Sequence, residues 1–204
     1  MTEPRQIDVP RDRLERWVAG FAQRHGEPTW NVRGNDYLVS APNGAWATFS
    51  SWIPAQSLPP DLVAWSKPPV TFAIILIRRG GYAVGIVKNE KLVAHKCGTR
   101  YVQSRTAAGG WSQQRYARRR ENQRDDLVGT VIQRASAISQ DKRCSGVVLG
   151  GDRALVATVR GDPSLRGLDA LPCREFFDIP DPRMSVLAEV HIRATAIAIS
   201  VSNA

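Results

Sequence analysis

The sequence predicts an α/β chain in which a mixed sheet carries helices on both faces, preceded by a small α+β N-terminal region. Three observations carry that expectation. From residue 70 onward, three short strand patterns are followed by alternating helix and strand signals, an order that adds covered strands to an antiparallel meander. Before residue 54 there is a separate block with its own amphipathic helix and strands. Between the two blocks the composition shifts: five of the thirteen prolines (Pro54, Pro59, Pro60, Pro68 and Pro69) lie within sixteen residues, the mark of a stiff connection rather than an element. The expected division is a small α+β region over residues 1–54, a Pro-rich connection over 55–69, and a larger domain over 70–204.

The first helix is predicted from Leu14, Trp17, Val18 and Phe21, which recur at helical spacing and end at His25-Gly26. Thr29 to Val32 and Tyr37 to Ser40 then flank a turn at Gly34-Asn35, and Pro42-Asn43-Gly44 turns into Ala45 to Ser50. In the second block Val70 to Ile77, Tyr82 to Val87 and Lys91 to His95 form a meander through Gly80-Gly81 and Asn89-Glu90. The stretch 96–110 is irregular and ends Ala107-Ala108-Gly109-Gly110. From Trp111 to about Ser139 no proline interrupts a helical pattern. Its second half carries an apolar stripe of Leu127, Val128, Val131, Ile132, Ala135 and Ile138, whereas its first half is arginine-rich and is expected to project from the body. Gly146 to Leu149, a helix through Val159, Arg174 to Phe177, a helix over Arg183 to Arg193 and a last strand over Ala196 to Val201 complete the alternation.

Composition removes several classes of function. With 43% apolar and 23% charged residues, the chain has the balance of a soluble globular protein. No uncharged apolar run reaches the ~18 residues a membrane helix needs, so no membrane partner is expected. The start Met-Thr-Glu-Pro lacks the apolar core of an export signal. Cys97, Cys144 and Cys173 are odd in number and far apart, which suits a reducing cytoplasm better than a disulfide framework or a metal site. His25, His95 and His191 stand alone, and no metal or other cofactor is expected.

Charge gives the positive clue. Lysine and arginine total 28 against 19 acids, for a net charge of +9. Between Lys96 and Arg124 there are eight bases (Lys96, Arg100, Arg105, Arg115, Arg118, Arg119, Arg120 and Arg124) against Glu121 alone. A field focused in this way attracts a polyanion and supplies affinity through counterion release, and arginine is suited to phosphate. Next to it, Gly109 and Gly110 provide a backbone without Cβ atoms immediately before a helix start, where free N–H groups favour an anion. Asp125-Asp126 is expected to pair with arginines on its own helix rather than to hold a metal. Gly150-Gly151-Asp152 reads as a helix start capped by Asp152, since no Gly-Lys-Ser/Thr follows it. No Gly-x-Ser-x-Gly elbow supports a serine esterase.

The string Gly109-Gly110-Trp111-Ser112-Gln113-Gln114-Arg115-Tyr116-Ala117-Arg118-Arg119-Arg120-Glu121-Asn122 resembles the catalytic loop of the Vms-like release factors, in particular their actinobacterial branch. These are relatives of the catalytic domain of eukaryotic and archaeal class I termination factors, which carry Gly-Gly-Gln. The resemblance runs over about Val70 to Val201 and implies a ribonuclease-H-like release-factor catalytic domain. It departs from Gly-Gly-Gln in placing Trp111 and Ser112 before the first glutamine; Gln113 follows a serine, as in the family's Gly-Gly-Ser-Gln form, which favours it over Gln114. The resemblance implies that Gly109, Gly110, Ser112, Gln113 and Gln114 form the catalytic loop, and that Arg105, Trp111, Arg115, Arg118, Arg119, Arg120 and Arg124 contact RNA. It implies a monomeric, cytoplasmic, codon-independent peptidyl-tRNA hydrolase of ribosome-associated quality control, with the large ribosomal subunit, its RNA and peptidyl-tRNA as partners. A glutamine amide does not titrate, so Gln113 would position a water or donate to an oxyanion rather than act as a base. Two alternatives stand beside it: a nuclease that cuts the tRNA 3′ CCA end, and a non-catalytic RNA- or ribosome-binding module.

Overall fold

The computed structural model describes residues 4–53, 61–66, 70–99 and 111–203, and the chain divides into two compact units. The first unit comprises residues 1–69 and 192–204. Its strands are β1 (Arg5–Val9), β2 (Thr29–Arg33), β3 (Asp36–Ser40), β4 (Trp46–Ser50) and, from the far end of the chain, β10 (Ile197–Ser202). They form an antiparallel sheet in the order β1-β10-β4-β3-β2. Helix α1 (Leu14–His25) buries Leu14 and Phe21 on one face of this sheet, and Trp17 stacks on Phe21 and meets Phe49 edge-on. Gly26 ends α1 with φ of 90°, a conformation that glycine takes without strain. A short helix α2 (Leu62–Ser66) lies within the stretch expected only to connect, and its Trp65 is buried in this same core beside Tyr37, at 5.3 Å between ring centroids. The five prolines of that stretch lie outside the described residues.

The second unit, residues 70–191, holds the expected mixed sheet with helices on both faces. Strands β5 (Thr71–Arg78), β6 (Gly81–Lys88) and β7 (Lys91–Thr99) form the meander, and β8 (Gly146–Gly151) and β9 (Cys173–Phe176) run parallel to β5, giving the order β7-β6-β5-β8-β9. Asn89 and Glu90 both take positive φ (48° and 65°), the paired left-handed conformation of a two-residue hairpin turn. Ala73, Ile75, Ile77, Tyr82, Val84 and Ile86 face helices α3 (Trp111–Ser139) and α4 (Arg153–Arg160). On the other face lies α6 (Met184–Thr195): Leu187 packs so closely on Gly85 that a Cβ there would come within 3.3–3.4 Å of its methyls. A one-turn helix α5 (Arg166–Asp169) precedes β9. No helix among the described residues is long and apolar enough to cross a membrane.

The last strand departs from expectation. The alternation over residues 196–201 continues the second block's pattern in sequence, but β10 pairs with β1 on one side and β4 on the other, and Ile197 and Ile199 are buried in the first core. The periodicity fixes a strand and its buried face but not its neighbours. β1 carries no prediction at all: Arg5–Val9 places only Ile7 and Val9 inward, too short an alternation to stand out.

Candidate nucleic-acid interface

Helix α3 has 29 residues, about 43 Å at 1.5 Å per residue, and its two halves obey different rules. In the second half Leu127, Val128, Val131 and Ala135 fall on one side and are buried against the sheet, with Ile132 and Ile138 half-buried at the margin. In the first half no residue from Gln114 to Asp126 is buried. This half is helical through its composition: Gln, Arg, Ala and Glu are good helix formers, and neither Gly nor Pro interrupts them. Its root is pinned where Arg124 Nη2 donates to Thr158 Oγ1 of α4 at 3.3 Å, and Thr158 in turn donates to the Ala154 carbonyl at 2.9 Å.

The residues expected in the site lie as follows. Gly109, Gly110 and Arg105 fall outside the described residues. Trp111, Ser112 and Gln113 open α3, so the glutamines belong to the helix's first turn rather than to the tip of the preceding loop; the side chains of these three are likewise outside the described residues. In that first turn the backbone N–H groups have no carbonyl partner within the helix. Gln114, Arg115, Arg118 and Arg119 are exposed, and Arg120 is half-buried. At 100° per residue, Arg115, Arg118 and Arg119 sit opposite the Leu127–Val131 side, while Arg120 and Arg124 lie on it. The arginine cluster is therefore two rows, one facing outward and one facing α4. Tyr116, 37% exposed between these rows, is an aromatic that sequence reasoning left without a role although it stands in the same string.

Asp125 and Asp126 correct an expectation. Both are exposed, and among the described residues neither forms an ion pair with the helix arginines. Spacing explains this: the residues three and four positions away are Glu121, Asn122, Gln123, Val128, Gly129 and Thr130, none of them basic. They also offset two of the positive charges, so the field over residues 96–126 is +5. Asp152 is the helix cap it was expected to be, accepting from the N–H groups of Ala154 and Leu155 at 3.0 and 3.2 Å.

Among the described residues no other group of side chains forms a catalytic or metal-binding cluster. Among the described residues no three His, Cys, Asp or Glu side chains converge to hold a metal. His25 Nδ1 is bonded to the Asn43 amide at 3.0 Å, and His191 packs by Phe72 at 6.3 Å. The three thiols are free and half-buried, and burial pushes each one up from its ordinary range, against the thiolate a nucleophile needs. A small apolar cavity lined by Ile75, Val147, Leu149 and Val159 has only Arg160 and Asp169 as charged groups, and those two bind each other.

Comparisons with known proteins agree with the sequence string. A model of the Actinobacteria/chloroflexi VLRF1 release factor family matches residues 70–200, about two thirds of the chain. No curated protein matches it. Among solved structures, one described as the Vms1 mitochondrial localization core is similar over 92% of this chain and 80% of its own, at 12% identity and a TM-score of 0.47. An archaeal translation termination factor, aRF1, is similar over 77% of this chain at 16% identity and a TM-score of 0.45, and this chain spans only 51% of its length. Likenesses this distant carry no functional inference.

Proposed function

This chain belongs to the Actinobacteria/chloroflexi VLRF1 release factor family, and on that premise we propose that it is a codon-independent peptidyl-tRNA hydrolase that frees nascent chains from tRNA on stalled large ribosomal subunits, in ribosome-associated quality control. A release-factor-type role in translation follows from family membership. The finer reading rests on one observation above the rest: α3 begins directly after Gly109-Gly110 and holds its arginine-rich half clear of the core. A helix with no buried residue over thirteen positions is available to something else, and five arginines on it suit RNA phosphates.

In this reading the glycine pair lets the backbone enter a narrow RNA-walled site, since a chain without Cβ atoms approaches another backbone more closely. The first turn of α3 follows it in, bringing free N–H groups and the Gln113 amide to the ester that joins peptide to tRNA. The carbonyl of that amide accepts from the attacking water and its NH2 donates to the oxygen on which negative charge develops. Positioning and oxyanion stabilisation are contributions a neutral amide can make without a proton of its own. Proton transfer is left to the RNA, whose ribose hydroxyl next to the ester is within reach of the leaving oxygen. The outer row, Arg115, Arg118 and Arg119, neutralises phosphates and holds the helix in register.

Incubation with purified large subunits bearing labelled peptidyl-tRNA, with both products resolved on one gel, tests the reading. Release of peptide with an intact tRNA 3′ end is the expected outcome. A shortened tRNA would replace hydrolysis with nucleolytic cleavage, and binding without any product would leave only an RNA-binding module.

A further inference from the structure

Strands β5, β8 and β9 are parallel, so their carboxyl ends share one edge of the second sheet. In open α/β sheets that edge is where ligands bind. The chain leaves β5 there through Arg78 and Arg79, and leaves β8 through Asp152 and Arg153. The two turns touch: the Asp152 N–H donates to the Ile77 carbonyl at 2.9 Å, and a Cβ on Gly151 would lie 2.0 Å from that same oxygen.

The charges on this edge are unevenly engaged. Arg78 is bound to the Ile179 carbonyl and lies 3.6 Å from Asp181, Asp152 caps α4, and Asp178 has its own partner. At the other end of α4, Arg160 is held by Asp169 and Glu175. Arg79 and Arg153 are different. Both are exposed, and among the described residues neither has an acidic partner. Arg153 is nevertheless held in place, its guanidinium 3.9 Å over the Phe177 ring, an arrangement that fixes the fork and leaves its N–H groups to donate.

We infer that Arg79 and Arg153 form a second phosphate-binding surface on the carboxyl edge of the sheet, and that it grips the backbone of a helical RNA arm. The class of ligand follows from what surrounds the cations. A single-strand platform needs open aromatic faces on which bases stack, but the aromatic ring beside these cations is covered by Arg153 itself. Unpartnered guanidinium groups without a stacking face suit the phosphates of a duplex. The inference rests on the proposed function only in that the substrate RNA possesses such an arm next to its ester.

The test uses the full chain and a fluorescent RNA hairpin of about twelve base pairs with a single-stranded 3′ ACCA end, titrated by anisotropy between 50 and 200 mM KCl. Arg79→Ala/Arg153→Ala is compared with Lys88→Ala/Lys91→Ala, which removes two charges from the opposite end of the same sheet. The arginine pair is expected to flatten the slope of log K against log salt by about 1.4–1.8, the loss of two phosphate contacts. The lysine pair leaves it unchanged, and Arg79→Lys/Arg153→Lys restores most of the slope. Equal slopes for the two alanine pairs, or a wild-type chain that does not bind the hairpin, would overturn the inference. Peptide release by the wild type on loaded large subunits is measured separately. Its absence with the slope difference intact counts against the hydrolase reading alone. Its presence with equal slopes counts against the edge surface alone.

Discussion

Gln113 and Gln114 are one residue apart in sequence and about 100° apart around α3, so a site that uses one amide cannot use the other in the same pose. If Gln113 positions the water, Gln113→Ala lowers single-turnover peptide release by about 10²–10³-fold, the usual effect of removing one aimed hydrogen bond from a transition state. RNA affinity stays near wild type, because an amide adds little to phosphate binding. Gln114→Ala is milder, and rate against pH shows no break that either substitution removes, since neither amide ionises. Loss of release in Gln114→Ala with Gln113→Ala active would shift the assignment by one position. Gly110→Ala acts through shape: release falls strongly while the melting temperature is unmoved, because the only change is a methyl in a confined approach. A melting temperature that falls in parallel with release would make Gly110 a structural residue instead.

The two rows on α3 separate binding from architecture, a distinction that belongs to the helix as an element. Arg118 and Arg119 are exposed on the side of α3 away from the sheet and form no ion pair among the described residues, so Arg118→Ala/Arg119→Ala is expected to flatten the salt slope of RNA binding by about 1.4–1.8 with no loss of stability. An unchanged slope would mean the outer row is only a solvated face. Gly129 provides the opposite test. It sits in the exposed side of α3, and a Cβ there would meet nothing within 4 Å. Gly129→Ala is therefore expected to stabilise the chain by about 0.5–1 kcal/mol in denaturant unfolding through helix propensity, and destabilisation would show that the helix needs to bend there. Much of this element is legible in the sequence. Leu127, Val131 and Ala135 repeat at helical spacing, no proline intervenes, and Gly109-Gly110 marks the start. The failure at Asp125 and Asp126 has a simple origin, since closeness in sequence to arginines is not the three- or four-residue spacing that brings side chains together on a helix. The split into an outer and an inner row needs the buried face to be known before it can be drawn.

At the scale of the whole chain, the second unit is an insertion between two parts of the first, because β10 returns to lie between β1 and β4. The meander was legible because its turns declare themselves, as Asn89-Glu90 does, and because a continuous apolar run from Phe72 to Ile77 marks a central strand. The return of β10 was not, since alternation in Ile197, Ile199 and Val201 records which residues are buried and carries no information about which strands flank them. The placement has a measurable consequence. Ile199 is fully buried among Phe49, Val39 and Ile197 in the first core, so Ile199→Ala removes methylenes from a packed site and costs about 2–5 kcal/mol. Leu149→Ala does the same in the second core, between Ile75 and Val159. Hydrogen exchange of the full-length chain distinguishes where each loss is felt. Ile199→Ala should speed exchange in β1, β3, β4 and β10 while β5, β6 and β8 keep their protection, and Leu149→Ala should give the converse pattern. Local opening follows the contacts each strand makes, so a variant at Ile199 that instead loosens β5 and β8 would put the last strand back in the sheet its sequence position suggests.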